Sequence, residues 1–178
     1  TETMMLSDGE SISRAEHIHP RAEPELAFLI SDHLRGPVTP AQAMLYVEGV
    51  CAAIEVIDSR FENFEFKLPD VVADNASSSR FVLGSKMVRP EELDIGNLGV
   101  VFEVNGEVKQ VGSTAAIYEH PARSLAALAN MLAEHDEEIE AGSIVLAGAA
   151  TAAEFVHPGD HVCLRMDGLG EVRLFVVE

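Results

Sequence analysis

Cysteine, basic side chains and long apolar runs are all scarce in this sequence, and each scarcity excludes something. The two cysteines, Cys51 and Cys163, stand far apart, and Cys51 lies in the apolar run EGVCAAIEVID. Two distant thiols in a chain without a secretion signal read as reduced core residues rather than a disulfide framework. They are also too few for a cysteine-rich zinc site. Lys and Arg number 12 against 30 Asp and Glu, for a formal net charge of −18. A surface that acidic repels phosphate backbones and anionic lipid, so neither nucleic acid nor membrane is an expected partner. An anionic substrate would need local positive charge, and a bound cation is one source of it. No uninterrupted apolar run approaches the roughly 18 residues of a membrane span. The opening TETMMLSDGESISR has neither the basic start nor the apolar stretch of a signal peptide, which makes a cytoplasmic location the expectation.

What is present is a chain of 178 residues, 47% hydrophobic, enough for one domain with a real core. No internal repeat or low-complexity linker interrupts it, so residues 1–178 read as a single domain. Residues 1–20 read as irregular, and residues 25–31, ELAFLIS, as a strand. In GPVTPAQAMLYVEGV, Thr39 is a cap candidate and Pro40 sits at the first helical position. CAAIEVID follows as a buried strand, although its apolar run could also continue the helix. FENFEFKLPDVVADNASSSRFVLG resists assignment beyond a loop at DNASSS and packing anchors at Phe61, Phe64 and Phe66. LGVVFEVNGEVKQVGS reads as two strands around a type I′ turn at Asn105-Gly106. HPARSLAALANMLAEHDEEI reads as an amphipathic helix with Leu125, Leu128 and Leu132 at helical spacing. Short strands in GSIVLAGAATA and DHVCLRMDGLGEVRLFVVE complete a mixed α+β fold, mainly β, built as a curved sheet or roll with a few helices.

The sharpest chemical feature is the segment HPRAEPELAFLI, residues 19–30. In a strand, side chains alternate faces. Glu23, Glu25, Ala27 and Leu29 then share one face, and Pro24, Leu26, Phe28 and Ile30 the other. The two carboxylates stand about 6–7 Å apart at their bases, since a strand rises about 3.3 Å per residue. Unpaired, they would raise each other's pKa; a hard cation such as Mg²⁺ or Mn²⁺ removes the conflict. Pro24 lacks an N–H, which suggests a strand edge at which a pocket opens. On its own an E-x-E pair also fits a solvated strand end. Glu55 adds a third carboxylate inside the apolar CAAIEVIDSR, where a lone Glu needs a partner. Asp58 and Arg60 are candidates for an ion pair supporting it. His17 and His19 could bind metal but fit a surface or structural role, and Ser77 to Ser79 lack the G-x-S-x-G setting of a nucleophile.

Three segments, HPRAEPELAFLI, AAIEVIDSRFENFEFKLPDVVADNASSSRFVLG and GSIVLAGAATAAEFVHPGDHV, together resemble the 2-keto-4-pentenoate hydratase / 4-oxalocrotonate decarboxylase family of the fumarylacetoacetate hydrolase-like superfamily. The resemblance spans essentially the whole chain. It implies a fumarylacetoacetate hydrolase C-terminal-like β-roll and a metal site of Glu23, Glu25 and Glu55. It further implies that Ser77 of the DNASS loop contacts a substrate carboxylate and that Thr151, at the end of the glycine-rich LAGAATA strand, reaches the substrate. The runs GVCAAIEVIDSRFENFEFKLPDVVADN and GSTAAIYEHPARSLAALANMLAE are more similar to the decarboxylase branch than to the hydratase branch. Members carry a further segment ahead of the point where this chain begins, with a lysine that acts on the substrate and part of the pocket lid. Lys67, Lys86 and Lys109 match no such motif, so the expectation is a fragment, or a protein that lacks that group, with the catalytic residue unassigned.

The implied substrate is a small 2-oxo acid, 2-oxo-3-hexenedioate, whose C1 carboxylate and keto oxygen chelate the cation while the far carboxylate leaves as CO₂. A hydratase of 2-keto-4-pentenoate would bind the same head group and direct water to the distal carbon. The resemblance also implies a homo-oligomer and a complex with a hydratase, so a non-catalytic assembly partner is a third reading. A hydrolase of acylpyruvates would need a base to activate water, and none is evident.

Overall fold

The computed structural model describes residues 2–178; Thr1, the first of the residues expected to be irregular, lies outside them. Eleven strands are formed by the described residues: β1 Met5–Leu6, β2 Ser11–Ser13, β3 Arg21–Ile30, β4 Val47–Ile57, β5 Ser78–Leu83, β6 Gly99–Val104, β7 Glu107–Ser113, β8 Ile144–Ala149, β9 Glu154–Phe155, β10 His161–Met166 and β11 Gly170–Val177. They build two mixed sheets. One runs β1-β5-β4-β3-β8, with β9 also on β3, and the other runs β2-β11-β10-β6-β7. Three α-helices among the described residues accompany them, α1 Pro40–Ala43, α2 Leu68–Ala73 and α3 Pro121–Ala133. The mainly-β α+β roll expected from the short strands is the fold observed.

The core lies between the sheets. On β3 the alternation is as the sequence dictates: Leu26, Phe28 and Ile30 are fully buried in it, joined by Val50, Ala52, Ile54 and Val56 of β4. The opposite face carries Ala27, Cys51 and Ala53, a small second cluster packed by Leu83 and Leu146. Both cysteines are free and buried, and burial pushes the Cys51 thiol up to about 11, which leaves it protonated and inert. The Asn105-Gly106 turn has φ of 56° and 76°, the paired positive values of a type I′ hairpin. In α3, Leu125, Ala126 and Ala129 are buried, Leu132 packs on the core's rim, and Leu128 remains 37% exposed, so it marks the edge of the stripe rather than its centre.

Three expectations need correction, and one unassigned segment gains a helix. The first 20 residues contain β1 and β2, which pair in parallel with β5 and β11; strands so short carry no period of their own. The helix after Thr39 is only Pro40–Ala43, despite a reciprocal cap in which Gln42 N–H reaches Thr39 Oγ1 and Thr39 N–H reaches Gln42 Oε1. Val47 already pairs with Ile30, so VEGV belongs to β4 and the sheet ladder overrides the local helix preference. A helix, α2, forms in the segment that resists assignment from sequence, with Lys67 N–H capped by the Asp70 carboxylate at 2.9 Å. Finally, β3 is not an edge: β4 lies on one side and β8 and β9 on the other. Pro24 survives there because its backbone faces the break between β8 and β9, where Ala150 N–H donates to its carbonyl at 2.8 Å.

Candidate metal centre

In the β3–β4 ladder Glu23 stands directly opposite Glu55, and Glu25 opposite Ala53. Two carboxylates facing each other across antiparallel strands destabilise the pair, and Glu25 lies two residues along on the same face. One oxygen from each of Glu23, Glu25 and Glu55 lies within 4.8 Å of the others. Glu25 is 2% exposed. Its Oε2 accepts the Gly148 N–H at 2.8 Å, which locks the carboxylate against the end of β8. Gly148 has φ of 112°, a conformation that side-chain-bearing residues resist, so the donor depends on glycine. Burial raises Glu23 to about 7, with the Glu55 charge adding and Arg21 opposing. Glu25 is held well above the usual carboxylate range by burial first and by Glu55 second, against the Gly148 hydrogen bond.

The donor set fits a hard divalent cation. Oxygens that share one ion at about 2.1–2.5 Å can be no more than about 4–5 Å apart, a limit these three meet. The three carboxylates are the one group of metal-ligating side chains brought together among the described residues. His17 and His19 stand outside it: His17 Nδ1 lies 2.8 Å from Ser13 O, and His19 stacks on Phe64 at 4.7 Å.

The neighbours of the glutamates are arranged differently from the sequence expectation. Asp58 and Arg60 do not form an ion pair. The Asp58 carboxylate accepts the backbone N–H groups of Ile18 and His19, each at 2.8 Å, and so ties the end of β4 to the approach to β3. The Arg60 guanidinium pairs with Asp74 at 3.0 Å and touches Asp58 through its main-chain oxygen at 3.3 Å. Asp74 is a buried hub, also reached by the hydroxyls of Ser59 and Ser77 at 3.4 and 3.1 Å. The only hint of it in the sequence is the Asp-x-x-Ser spacing, a turn pattern. Ser77 is buried, with φ of 60°, and Thr151 is half-buried, with its Oγ1 on Ala152 O at 3.2 Å. Asp58→Ala removes an acceptor from two backbone donors, and a stability loss of about 2–4 kcal/mol is expected. Urea unfolding measures it, and a loss under about 0.5 kcal/mol would mean that solvent replaces the carboxylate.

Fold and site together define a class: a mixed β-roll whose central antiparallel strands present three carboxylates suited to one hard divalent cation. The chain belongs to the fumarylacetoacetate (FAA) hydrolase C-terminal family, which it matches over residues 1–177. It is 45% identical over 172 residues to a 4-oxalocrotonate decarboxylase of Pseudomonas sp, covering 97% of this chain and 66% of that protein. It is 34% identical over 173 residues to the 2-hydroxyhexa-2,4-dienoate hydratase of Comamonas testosteroni, covering 96% and 66%. The solved 4-oxalocrotonate decarboxylase of Pseudomonas putida G7, complexed with magnesium and adipate, superposes with a TM-score of 0.96 at 42% identity, over 99% of this chain and 67% of that one. The chain thus spans about two thirds of the length of the curated relatives it matches.

Proposed function

We propose that this chain is the metal-binding part of a lyase that removes CO₂ from 2-oxo-3-hexenedioate (4-oxalocrotonate), giving 2-hydroxypenta-2,4-dienoate in the breakdown of aromatic ring-cleavage products. The convergence of Glu23, Glu25 and Glu55 is the observation that carries it. Identity favours decarboxylation over hydration, at 45% to the decarboxylase against 34% to the hydratase over nearly the same stretch. Magnesium with adipate, a diacid of the proposed substrate's length, in the Pseudomonas putida G7 decarboxylase supports Mg²⁺ as the ion, with Mn²⁺ a hard alternative.

When bound, the cation supplies Lewis-acid stabilisation to the 2-oxo oxygen, where negative charge develops as the far carboxylate leaves. The protein's share is positioning. Glu23, Glu25 and Glu55 would hold the ion through three oxygens, which would leave it open to solvent and substrate. Gly148 N–H keeps the Glu25 carboxylate from turning away. Among the described residues Thr151 gives its hydroxyl only to a neighbouring carbonyl and can turn it to substrate. Ser77 must first release Asp74. The acid–base group is assigned to no residue of this chain. A cytoplasmic homo-oligomer that hands its dienol to a hydratase completes the proposal; no helix among the described residues is long and apolar enough to cross a membrane.

Supplying 2-oxo-3-hexenedioate with Mg²⁺ tests the assignment. CO₂ released in step with substrate loss is expected, and abolished by a chelator. Consumption of 2-hydroxypentadienoate without gas would make the protein a hydratase instead. Tight binding to a hydratase with neither activity would make it an assembly partner.

A further inference from the structure

Arg21 stands two residues before Glu23, on the same face of β3. Its guanidinium carbon lies 4.1 Å from the ring centroids of both Phe64 and Phe155. Clamped between two aromatic rings, the planar group has only its edge, the row of N–H donors, free to meet a ligand. Its Nε is buried and has no hydrogen-bond partner among the described residues. Arg60, Arg80, Arg165 and Arg173 each pair with a carboxylate of the chain. A buried donor left unmatched costs free energy that a ligand's acceptor would recover. The clamp is itself held in an unfavourable backbone conformation: Asn63 and Phe64 have φ of 56° and 59°, strain of the kind that collects at functional sites.

We propose that Arg21, fixed by Phe64 and Phe155, binds the C1 carboxylate of the 2-oxo acid, the one adjoining the keto group. This rests on the metal-dependent reading given under Proposed function. Placement favours this end of the substrate, because Arg21 and Glu23 share a strand face with bases only about 6–7 Å apart. Chemistry favours it too. An arginine on the departing carboxylate would stabilise a charge that the reaction disperses, and so favour substrate over transition state. The C1 carboxylate keeps its charge throughout, and a rigid guanidinium edge matches its two oxygens.

Calorimetry on the full chain tests this with three probes, Mg²⁺ alone and then pyruvate or adipate at saturating Mg²⁺. Pyruvate has the 2-oxo acid head and no second carboxylate. For Arg21→Met, Mg²⁺ is expected to bind at least as tightly as in the wild type, because a positive charge beside the glutamates is gone. Pyruvate is expected to bind about 10- to 100-fold more weakly. Phe155→Leu alters a ring that is 51% exposed and leaves the core alone; a several-fold loss of pyruvate affinity with unchanged Mg²⁺ binding is expected. Loss of both affinities in Arg21→Met, with a lowered melting temperature, would assign Arg21 a purely structural role and overturn the inference. So would unchanged pyruvate binding, or a defect for adipate alone, which would move Arg21 to the far carboxylate. A wild-type chain that binds no Mg²⁺ would overturn the metal reading and this inference together. A wild type that binds Mg²⁺ and pyruvate keeps the metal reading, whatever Arg21→Met then does.

Discussion

Glu25→Gln is expected to weaken Mg²⁺ binding by about 100-fold or more and to reduce Mg²⁺-dependent turnover to background, while the metal-free protein melts higher than the wild type. The two effects share one cause. Glu25 is the most buried of the three glutamates, at 2% exposure, and its charge is opposed both by burial and by Glu55. In the absence of a cation that charge is a liability, so a neutral amide of the same shape relieves it. The substituted amide is expected to keep its carbonyl on Gly148 N–H, since only an acceptor is needed there, and the fold should survive. With a cation the balance reverses. One of three anionic ligands is lost, and even the partners behind metal ligands are typically worth 10–100-fold in affinity. A gain of about 2–4 °C in melting temperature per kcal/mol relieved is the scale for a domain of this size. Isothermal titration with Mg²⁺ and a melting curve in chelator make the pair of measurements. A variant that binds Mg²⁺ like the wild type, or melts lower without it, would remove Glu25 from the metal site.

The parts of this molecule legible in its sequence are those set by neighbours along the chain. The alternation of Leu26, Phe28 and Ile30 shows a core face because the strand period is two. Asn105-Gly106 shows a hairpin because few residue pairs accept two positive φ values. Pro121–Ala133 shows a helix because small and leucine side chains recur every three to four residues. What is not legible depends on partners far away. Glu25 meets Gly148 across 123 residues, and Asp58 meets Ile18 across 40. Neither separation leaves a local mark. The facing of Glu23 and Glu55 is a matter of strand register, which the E-x-E spacing does not determine; the apolar setting of Glu55 shows that it needs a partner, and the resemblance names the other two glutamates. Proximity in sequence matches Arg60 with Asp58, whereas the fold offers Asp74, returned to it by the turn that follows α2. Nothing local marks Arg21 either, since its significance comes from Phe64 and Phe155, which only the folded chain brings to it.

The stability of the metal-free protein is expected to fall as pH rises from about 5 to 8, and Mg²⁺ to restore most of the loss. Burial lifts Glu23 to about 7 in the folded chain, against 4.5 for an ordinary glutamate, and burial together with Glu55 raises Glu25 in the same direction. Between those values the folded protein holds protons that the unfolded chain has already released. Stability therefore declines with rising pH across that interval, and the penalty is fully present once the folded groups have also ionised. Mg²⁺ competes for the same oxygens and takes only the ionised form, so its binding strengthens as the protons leave. At 100 times its dissociation constant a ligand adds about 2.7 kcal/mol, which is about 5–10 °C here. The measurement is the difference in melting temperature with Mg²⁺ and with chelator at each pH. Taking the difference cancels the titration of the many surface carboxylates. It should be near zero at pH 5, rise steeply through pH 7, and vanish at every pH in the triple variant Glu23→Gln, Glu25→Gln, Glu55→Gln. A difference that does not change with pH would mean that the ion binds elsewhere on this acidic surface, and that the three glutamates meet for some other reason.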